Sequence, residues 1–247
     1  MTATTALLQA ERLGLQAAGR DLLIGLDWCV LPGQRWCVIG PNAAGKSTLL
    51  RALAGLSVPQ RSGQVRWLGR PQAEWAAADA ACVRAYAPQH SVDRFPIRVD
   101  RLLALATVQA SGLQAEQVLA DLDAAPLAQR GVRELSGGER QRIALAQCAL
   151  QGAPLMLMDE PVSFQDPAHQ IRVSRWLIGL VPPSAASALV ITAHDVNWIA
   201  RTATHVLAMT GAGRWQAGPA ASMINAGLLE QVYGCAWRAM GGVWVAE

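Results

Sequence analysis

Apolar positions in this chain fall in short continuous blocks, separated by stretches with helical spacing. Residues 8–40 read as β-rich, and Trp36-Cys37-Val38-Ile39 predicts a buried strand running straight into a glycine-containing loop. Ser47 to Leu56 predicts a helix with Gly55 near its end, Gly63 to Leu68 a short strand, and the alanine-rich Ala73 to Ala81 another helix. From about Ser91 to Glu134 the spacing becomes helical: Leu102, Leu103, Leu105 and Val108 are expected on one side of one helix, Val118, Leu119 and Leu122 on a second. Helix returns from Glu139 to Leu150, followed by a strand at Leu155–Met158, a helix over Ile171–Leu180 and a buried strand at Ala188–Thr192. His205 to Met209 and Trp215 to Ala217, around Gly211-Ala212-Gly213, predict a hairpin. Strands alternating with helices imply an α/β fold built on a mostly parallel sheet, interrupted by a helical insertion.

Composition narrows the setting. The 247 residues are long enough for a substantial core, and 52% are hydrophobic against only 16% charged. No apolar run approaches the roughly 18 residues that span a bilayer, and Met1-Thr2-Ala3-Thr4-Thr5 lacks the basic start of a signal peptide. A cytosolic protein docked on something apolar is the expectation. The formal charge of +3, without a long run of one sign, supports no nucleic-acid partner. Five cysteines, Cys29, Cys37, Cys82, Cys148 and Cys235, form no C-x-x-C pair and read as buried free thiols.

Three stretches carry chemistry. Gly40-Pro41-Asn42-Ala43-Ala44-Gly45-Lys46-Ser47, with Thr48 next, fits the P-loop pattern. Small residues let backbone N–H groups wrap phosphates at a helix N-terminus, Lys46 adds a point charge, and the Ser47 hydroxyl can ligate Mg²⁺. Asp159 and Glu160 close the apolar run Leu155-Met156-Leu157-Met158, where Asp159 would complete the Mg²⁺ shell through water. In Leu135-Ser136-Gly137-Gly138-Glu139, Ser136 offers a hydroxyl, Gly137 and Gly138 bare amides, and the helix after them its positive end.

Taken in this order, the three stretches resemble those of ATP-binding cassette (ABC) ATPases over almost the whole chain. The resemblance implies an ABC-type P-loop ATPase core: a mostly parallel sheet with helices, an N-terminal antiparallel β subdomain and an inserted α-helical subdomain at about 91–150, within one nucleotide-binding domain spanning 1–247. It implies that Glu160 is the general base, that Gln89 of Ala87-Pro88-Gln89 is the Q-loop residue meeting Mg²⁺ and water, and that His194 is the switch histidine contacting the γ-phosphate. Ser163-Phe164-Gln165-Asp166 stands at the D-loop, where Ser-Ala-Leu-Asp is common. Ser136, Gly137 and Gly138 would close on nucleotide held by a second ATPase subunit, so that ATP and Mg²⁺ occupy two composite sites of a homodimer. Four departures stand out. Ala43 replaces a glycine, which is costly if its φ is positive. Glu139 replaces a commoner glutamine, Phe164 and Gln165 are unusual, and no aromatic residue stands near Gln16 to Ala18 to stack adenine, leaving Arg20 as a substitute.

Finer features, Asp166-Pro167-Ala168-His169-Gln170, His194-Asp195-Val196-Asn197, and the tail Gly218-Pro219-Ala220 with Leu228 to Gly234, look like ATPases of bacterial metal-chelate importers for iron–siderophore, haem or cobalamin. That likeness implies a peripheral subunit on the cytoplasmic face of the inner membrane, driving a transmembrane permease fed by a substrate-binding protein, with Phe95 and Pro96 near the permease groove. An ABC exporter ATPase, or a permease-free cluster-assembly ATPase, is the alternative within the class. A P-loop kinase or nucleotide-binding regulator would account for Lys46 and Asp159 but leave the Leu135–Glu139 stretch and His194 unexplained.

Overall fold

A computed structural model describes residues 5–89, 96–106 and 112–247. Strands β1 (Leu8–Ala17) and β2 (Arg20–Val30) pair antiparallel, and β4 (Gln60–Trp67) and β5 (Arg70–Pro71) extend the sheet in the order β2-β1-β4-β5. Between them β3 (Arg35–Ile39) enters a second sheet, ordered β10-β9-β3-β8-β7-β6. There β6 (Arg84–Ala87), β7 (Leu155–Met158), β8 (Ala188–Thr192) and β9 (His205–Gly211) run parallel to β3, and β10 (Arg214–Pro219) closes one edge antiparallel to β9.

Both faces of this sheet are covered, which is why its central strands read as unbroken apolar runs. Successive β3 side chains go to opposite faces. Trp36 and Val38 join a core with α1 (Lys46–Leu53) and the antiparallel sheet, whereas Cys37 and Ile39 join a second core with the helices. That helical side comprises α3 (Val99–Ala106), α4 (Ala115–Asp121), α5 (Gly137–Leu150) and α6 (Pro167–Leu180), after α2 (Ala77–Val83) has led into β6. The chain ends with α7 (Val196–Thr202), α8 (Ala220–Met223), α9 (Ala226–Tyr233) and a separate hairpin of β11 (Trp237–Met240) and β12 (Val243–Ala246). Among the described residues no helix is long and apolar enough to cross a membrane.

The fold corrects several expectations. In α3 the inward stripe is Val99, Leu102 and Leu103; Leu105, two residues beyond Leu103 and on the far side of the turn, is 74% exposed. Val108 and Phe95 lie outside the described residues, and Pro96 is exposed. The Ala73–Ala81 helix starts only at Ala77, because Trp75 is extended, tilted against Trp67 and donating its indole N–H to the Arg70 carbonyl. Helix α6 starts four residues before Ile171, where Asp166 caps it and Pro167 occupies its first turn. The five thiols are free, yet only Cys37 and Cys148 are buried, and Cys29 is exposed.

The turn from β3 into α1 is tight enough to need left-handed backbone at Ala43 (φ 61°) and Gly45 (φ 97°). A Cβ on Gly45 would stand 2.9 Å from Leu22 of β2, so the turn is also closely covered. Ala43 does carry the cost of a positive φ, roughly 1–2 kcal/mol for an L-residue.

Two outcomes are expected. Ala43→Gly should raise the free energy of unfolding by about 0.5–1 kcal/mol, the relief of left-handed strain less the freedom glycine adds to the unfolded chain; urea denaturation measures it. Leu103→Ala should cost about 2–5 kcal/mol in the same experiment, whereas Leu105→Ala should stay within about 0.5 kcal/mol.

Candidate functional site

Parallel pairing brings the carboxyl ends of β3, β8, β7 and β6 to one edge of the sheet, and each ends in a candidate residue. From β3 the chain turns through Gly40–Gly45 into Lys46, a buried residue at the first position of α1. Its Nζ donates to the carbonyls of Gly40 at 2.8 Å and Pro41 at 3.0 Å. Burial lowers the Lys46 pKa, opposed by the negative charges of Glu160 and Asp159, which places all three groups in one electrostatic neighbourhood.

Beyond β7, Asp159 is buried and its N–H donates to the Ala87 carbonyl of β6 at 2.8 Å. Thr192, the last residue of β8, donates its hydroxyl to Asp159 Oδ1 at 2.5 Å and accepts the N–H of Glu160 at 2.9 Å. Thr192 therefore fixes both acidic residues at once. Nothing but its place, a polar residue ending a buried apolar strand, could have revealed it in the sequence.

Glu160 adopts φ 47°, a left-handed conformation that turns its side chain away from that of Asp159. Its Oε2 accepts from Gln89 Nε2 and from Ser163 Oγ, each at 2.7 Å, and Oε1 lies 2.6 Å from His194 Nε2. Three residues from three segments thus meet on one carboxylate. Burial would push its pKa up, but the bonds from Ser163 and His194, with the His194 and Lys46 charges, hold it below the ordinary glutamate value. The Glu160 carbonyl is held as well, by Gln141 Nε2 of α5 at 3.3 Å. Beside this cluster the Tyr86 phenol is pushed up to about 12, first by burial and then by the Asp159 charge.

Leu135–Glu139 opens α5. Ser136 is the N-cap: its hydroxyl oxygen accepts the Glu139 N–H at 3.3 Å while Glu139 Oε2 accepts the Ser136 N–H at 2.7 Å, a reciprocal capping box. Glu139 Oε1 also pairs with Arg130 at 3.1 Å. The Ser136 N–H, then the rest of this network, lowers the Glu139 pKa, so the charge that replaces glutamine is turned back into its own helix cap. The Ser136 hydroxyl serves the cap as well, its oxygen accepting the Glu139 N–H and its side chain bonding the Glu139 carboxylate.

The loop after Glu160 bears directly on that cap. Phe164 adopts φ 63° and is 64% exposed, and its carbonyl is 2.7 Å from where a Cβ on Gly138 would stand. Only glycine fits that approach. Gln165 turns inward, is buried, and donates to the Pro161 carbonyl at 3.1 Å. Asp166 Oδ1 accepts the His169 N–H at 2.9 Å, and the His169 ring bridges Asp166 (2.9 Å) and Asp123 (3.2 Å).

The structure thus gathers Lys46, Gln89, Asp159, Glu160 and His194 at one edge, and sets Gly137 and Gly138, next to the Ser136 cap, against the Phe164 loop. At the turn between β1 and β2, Ala18 is left-handed (φ 50°), Gln16 donates to Asp21 at 2.6 Å, and Arg20 is exposed. Thr192, Gln141 and Arg130 are the site-shaping side chains that sequence patterns do not reveal, and the bond from Ser163 to Glu160 gives that D-loop residue a role the sequence does not show.

Residues 23–163 match the ABC transporter family. The chain is 38% identical to the hemin import ATP-binding protein HmuV of Streptomyces coelicolor, over 92% of this chain and 83% of the relative. It is 36% identical to the protein of that name from Pseudomonas fluorescens, over 92% of each. Among solved structures, one described as of a metal-chelate type ABC transporter facing inward superimposes with a TM-score of 0.76 at 24% identity, over 98% of this chain and 96% of that one. With more than half of its length matched by the family, and with these relatives, the chain belongs to the ABC transporter family, as one of its ATP-hydrolysing subunits.

Proposed function

We propose that the chain powers haem import: two copies bind and hydrolyse ATP at the cytoplasmic face of the membrane, beneath permease subunits supplied by a substrate-binding protein. The observation that carries the catalytic part is the Glu160 carboxylate, held by Gln89, Ser163 and His194 beside buried Lys46 and Asp159. The haem part rests on the relatives named as hemin import proteins.

The donor set fits a magnesium ion, because Ser47, Gln89 and Asp159 offer hard oxygen ligands. When bound, that ion would neutralise charge on the nucleotide phosphates. The Gly40–Gly45 amides, with Thr48 beside Ser47, cradle the phosphates, and Lys46 exchanges its carbonyl partners for phosphate oxygens. The adenine rests near Arg20 and the turn of β1 and β2.

Glu160 is ionised at neutral pH because its pKa is held low. It accepts a proton from water, whose oxygen forms the new bond to the γ-phosphorus while the bond to the ADP oxygen breaks. His194 steadies Oε1 and Gln89 steadies Oε2, keeping the accepting lone pair aimed at the water. Ser136, Gly137 and Gly138 of the second copy supply the hydroxyl and amides on the γ-phosphate.

The composite arrangement has a direct test. Lys46→Ala and Ser136→Arg should each abolish hydrolysis alone, and mixing the two purified variants should restore it, since a mixed dimer keeps one site with intact Lys46 and Ser136. Absence of recovery in a mixture shown to exchange subunits would overturn the shared site. Glu160→Gln should lower kcat by about 100-fold or more and trap an ATP-bound dimer visible by size-exclusion chromatography. Cells lacking the gene should fail to grow on haem as sole iron source yet recover with the unaltered chain; growth without it would overturn the haem assignment.

A further inference from the structure

The C-terminal hairpin reaches back to the segment that carries His194. Trp244 of β12 donates its backbone N–H to Asn197 Oδ1 at 2.7 Å, and Asn197 Nδ2 donates to the Trp244 carbonyl at 2.9 Å. The amide of Asn197 thus pairs with one residue's main chain as a neighbouring strand would. Asn197 lies three residues after His194, in the first turn of a seven-residue helix. That turn is capped by Asp195, whose Oδ1 accepts the N–H groups of Asn197 at 2.8 Å and Trp198 at 3.0 Å. On the opposite side Trp198 donates its indole N–H to the Gln170 carbonyl of α6 at 3.3 Å. Helix α7 is therefore gripped from two sides, by α6 and by the hairpin.

The hairpin is itself anchored. Tyr233 at the end of α9 packs on Trp237 of β11, ring centroids 5.6 Å apart, and Arg238 pairs with Glu247 at 2.9 Å. Burial, then the neighbouring Cys37 and Asp195, pushes the Tyr233 phenol up. His194 is half-exposed, and its contact with Glu160 at 2.6 Å depends on where the backbone of residues 193–196 is held. A seven-residue helix is too short to hold its own first turn.

We propose that Asn197 is a positioning residue, and that the β11–β12 hairpin acts through it to hold His194 against Glu160. This rests on the proposed roles of His194 and Glu160 in hydrolysis. The amide pair stiffens the first turn of α7, which keeps the His194 imidazole within bonding distance of Oε1. Losing the pair leaves the nucleotide cradle intact and loosens only the switch.

The test uses full-length chains carrying Asn197→Ala, Trp244→Pro (which removes the backbone donor from the other side), His194→Ala, and Asn197→Ala with His194→Ala. Asn197→Ala and Trp244→Pro should each lower kcat about five- to tenfold with KM for ATP within about twofold, and Asn197→Ala should add no further loss to His194→Ala. In NMR spectra of the full chain, the His194 imidazole resonance should move in Asn197→Ala while those of His169 and His205 stay in place. Wild-type kcat in Asn197→Ala, an unmoved His194 resonance, or the same fractional loss in the His194→Ala background would each overturn the proposal, the last by marking Asn197 as general support for the fold. Undiminished hydrolysis by His194→Ala would instead overturn the catalytic reading beneath it.

Discussion

Four parallel strands lie in fixed register: Cys37 beside Ile191, Ile191 beside Met158, and Met158 beside Ala87. Within three residues beyond these positions stand the residues that make or shape the site, namely the Gly40 turn, Thr192, Asp159 and Gln89. A strand's side chains alternate between faces, so a slip of one residue in β7 would exchange Asp159 with Met158 and draw Glu160 off the Thr192 hydroxyl. Burial on both sheet faces forbids that slip, because it would drive Leu155 and Leu157 out of one core and Met156 and Met158 out of the other. The hydrophobic cores therefore set the position of the carboxylates.

Such a frame can sustain unfavourable local choices. Lys46 and Asp159 are almost wholly buried, and Glu160 adopts a backbone conformation costing roughly 1–2 kcal/mol for an L-residue. Each is held by several independent contacts: Lys46 by two carbonyls, Asp159 by Thr192, Glu160 by Thr192 and Gln141 on its main chain and three side chains on its carboxylate. Strain of this kind persists only where the surroundings over-determine it. Those contacts come from several segments at once, the ends of β3, β6 and β8, the loop after Glu160 and α5, so no single element sets the geometry.

What was legible in the sequence is what is local. The P-loop, the Asp159-Glu160 pair and the Ser136 cap are contiguous runs whose chemistry follows from residue type and spacing, and continuous apolar blocks marked β3, β7 and β8. Thr192 and Gln141 meet Glu160 only through the fold, at separations along the chain that no pattern links. Leu105 is apolar and sits in a helical stretch, which alone points inward, yet it lies on the opposite side of the turn from Leu102 and Leu103. Helix α7 and the terminal hairpin leave no sequence signal for a related reason: a seven-residue helix and two four-residue strands are too short to show a period, and their pairing through Asn197 and Trp244 is a tertiary event.

The Phe164 loop ties these regions together. Ser163 bonds the Glu160 carboxylate, the next residue presses its carbonyl on Gly138, and Gly138 belongs to the capped start of α5. Within one chain, then, the carboxylate and the Ser136–Gly138 turn are separated by a single loop with no side-chain slack between them. In the proposed dimer these two features serve different nucleotides, Glu160 the one held by its own chain and Ser136 the one held by the second. A shift of Glu160 that moves Ser163 would bear on the Phe164 carbonyl and, through it, on the Gly138 backbone that it approaches too closely for any side chain. Coupling between the two sites would then need no element beyond this loop.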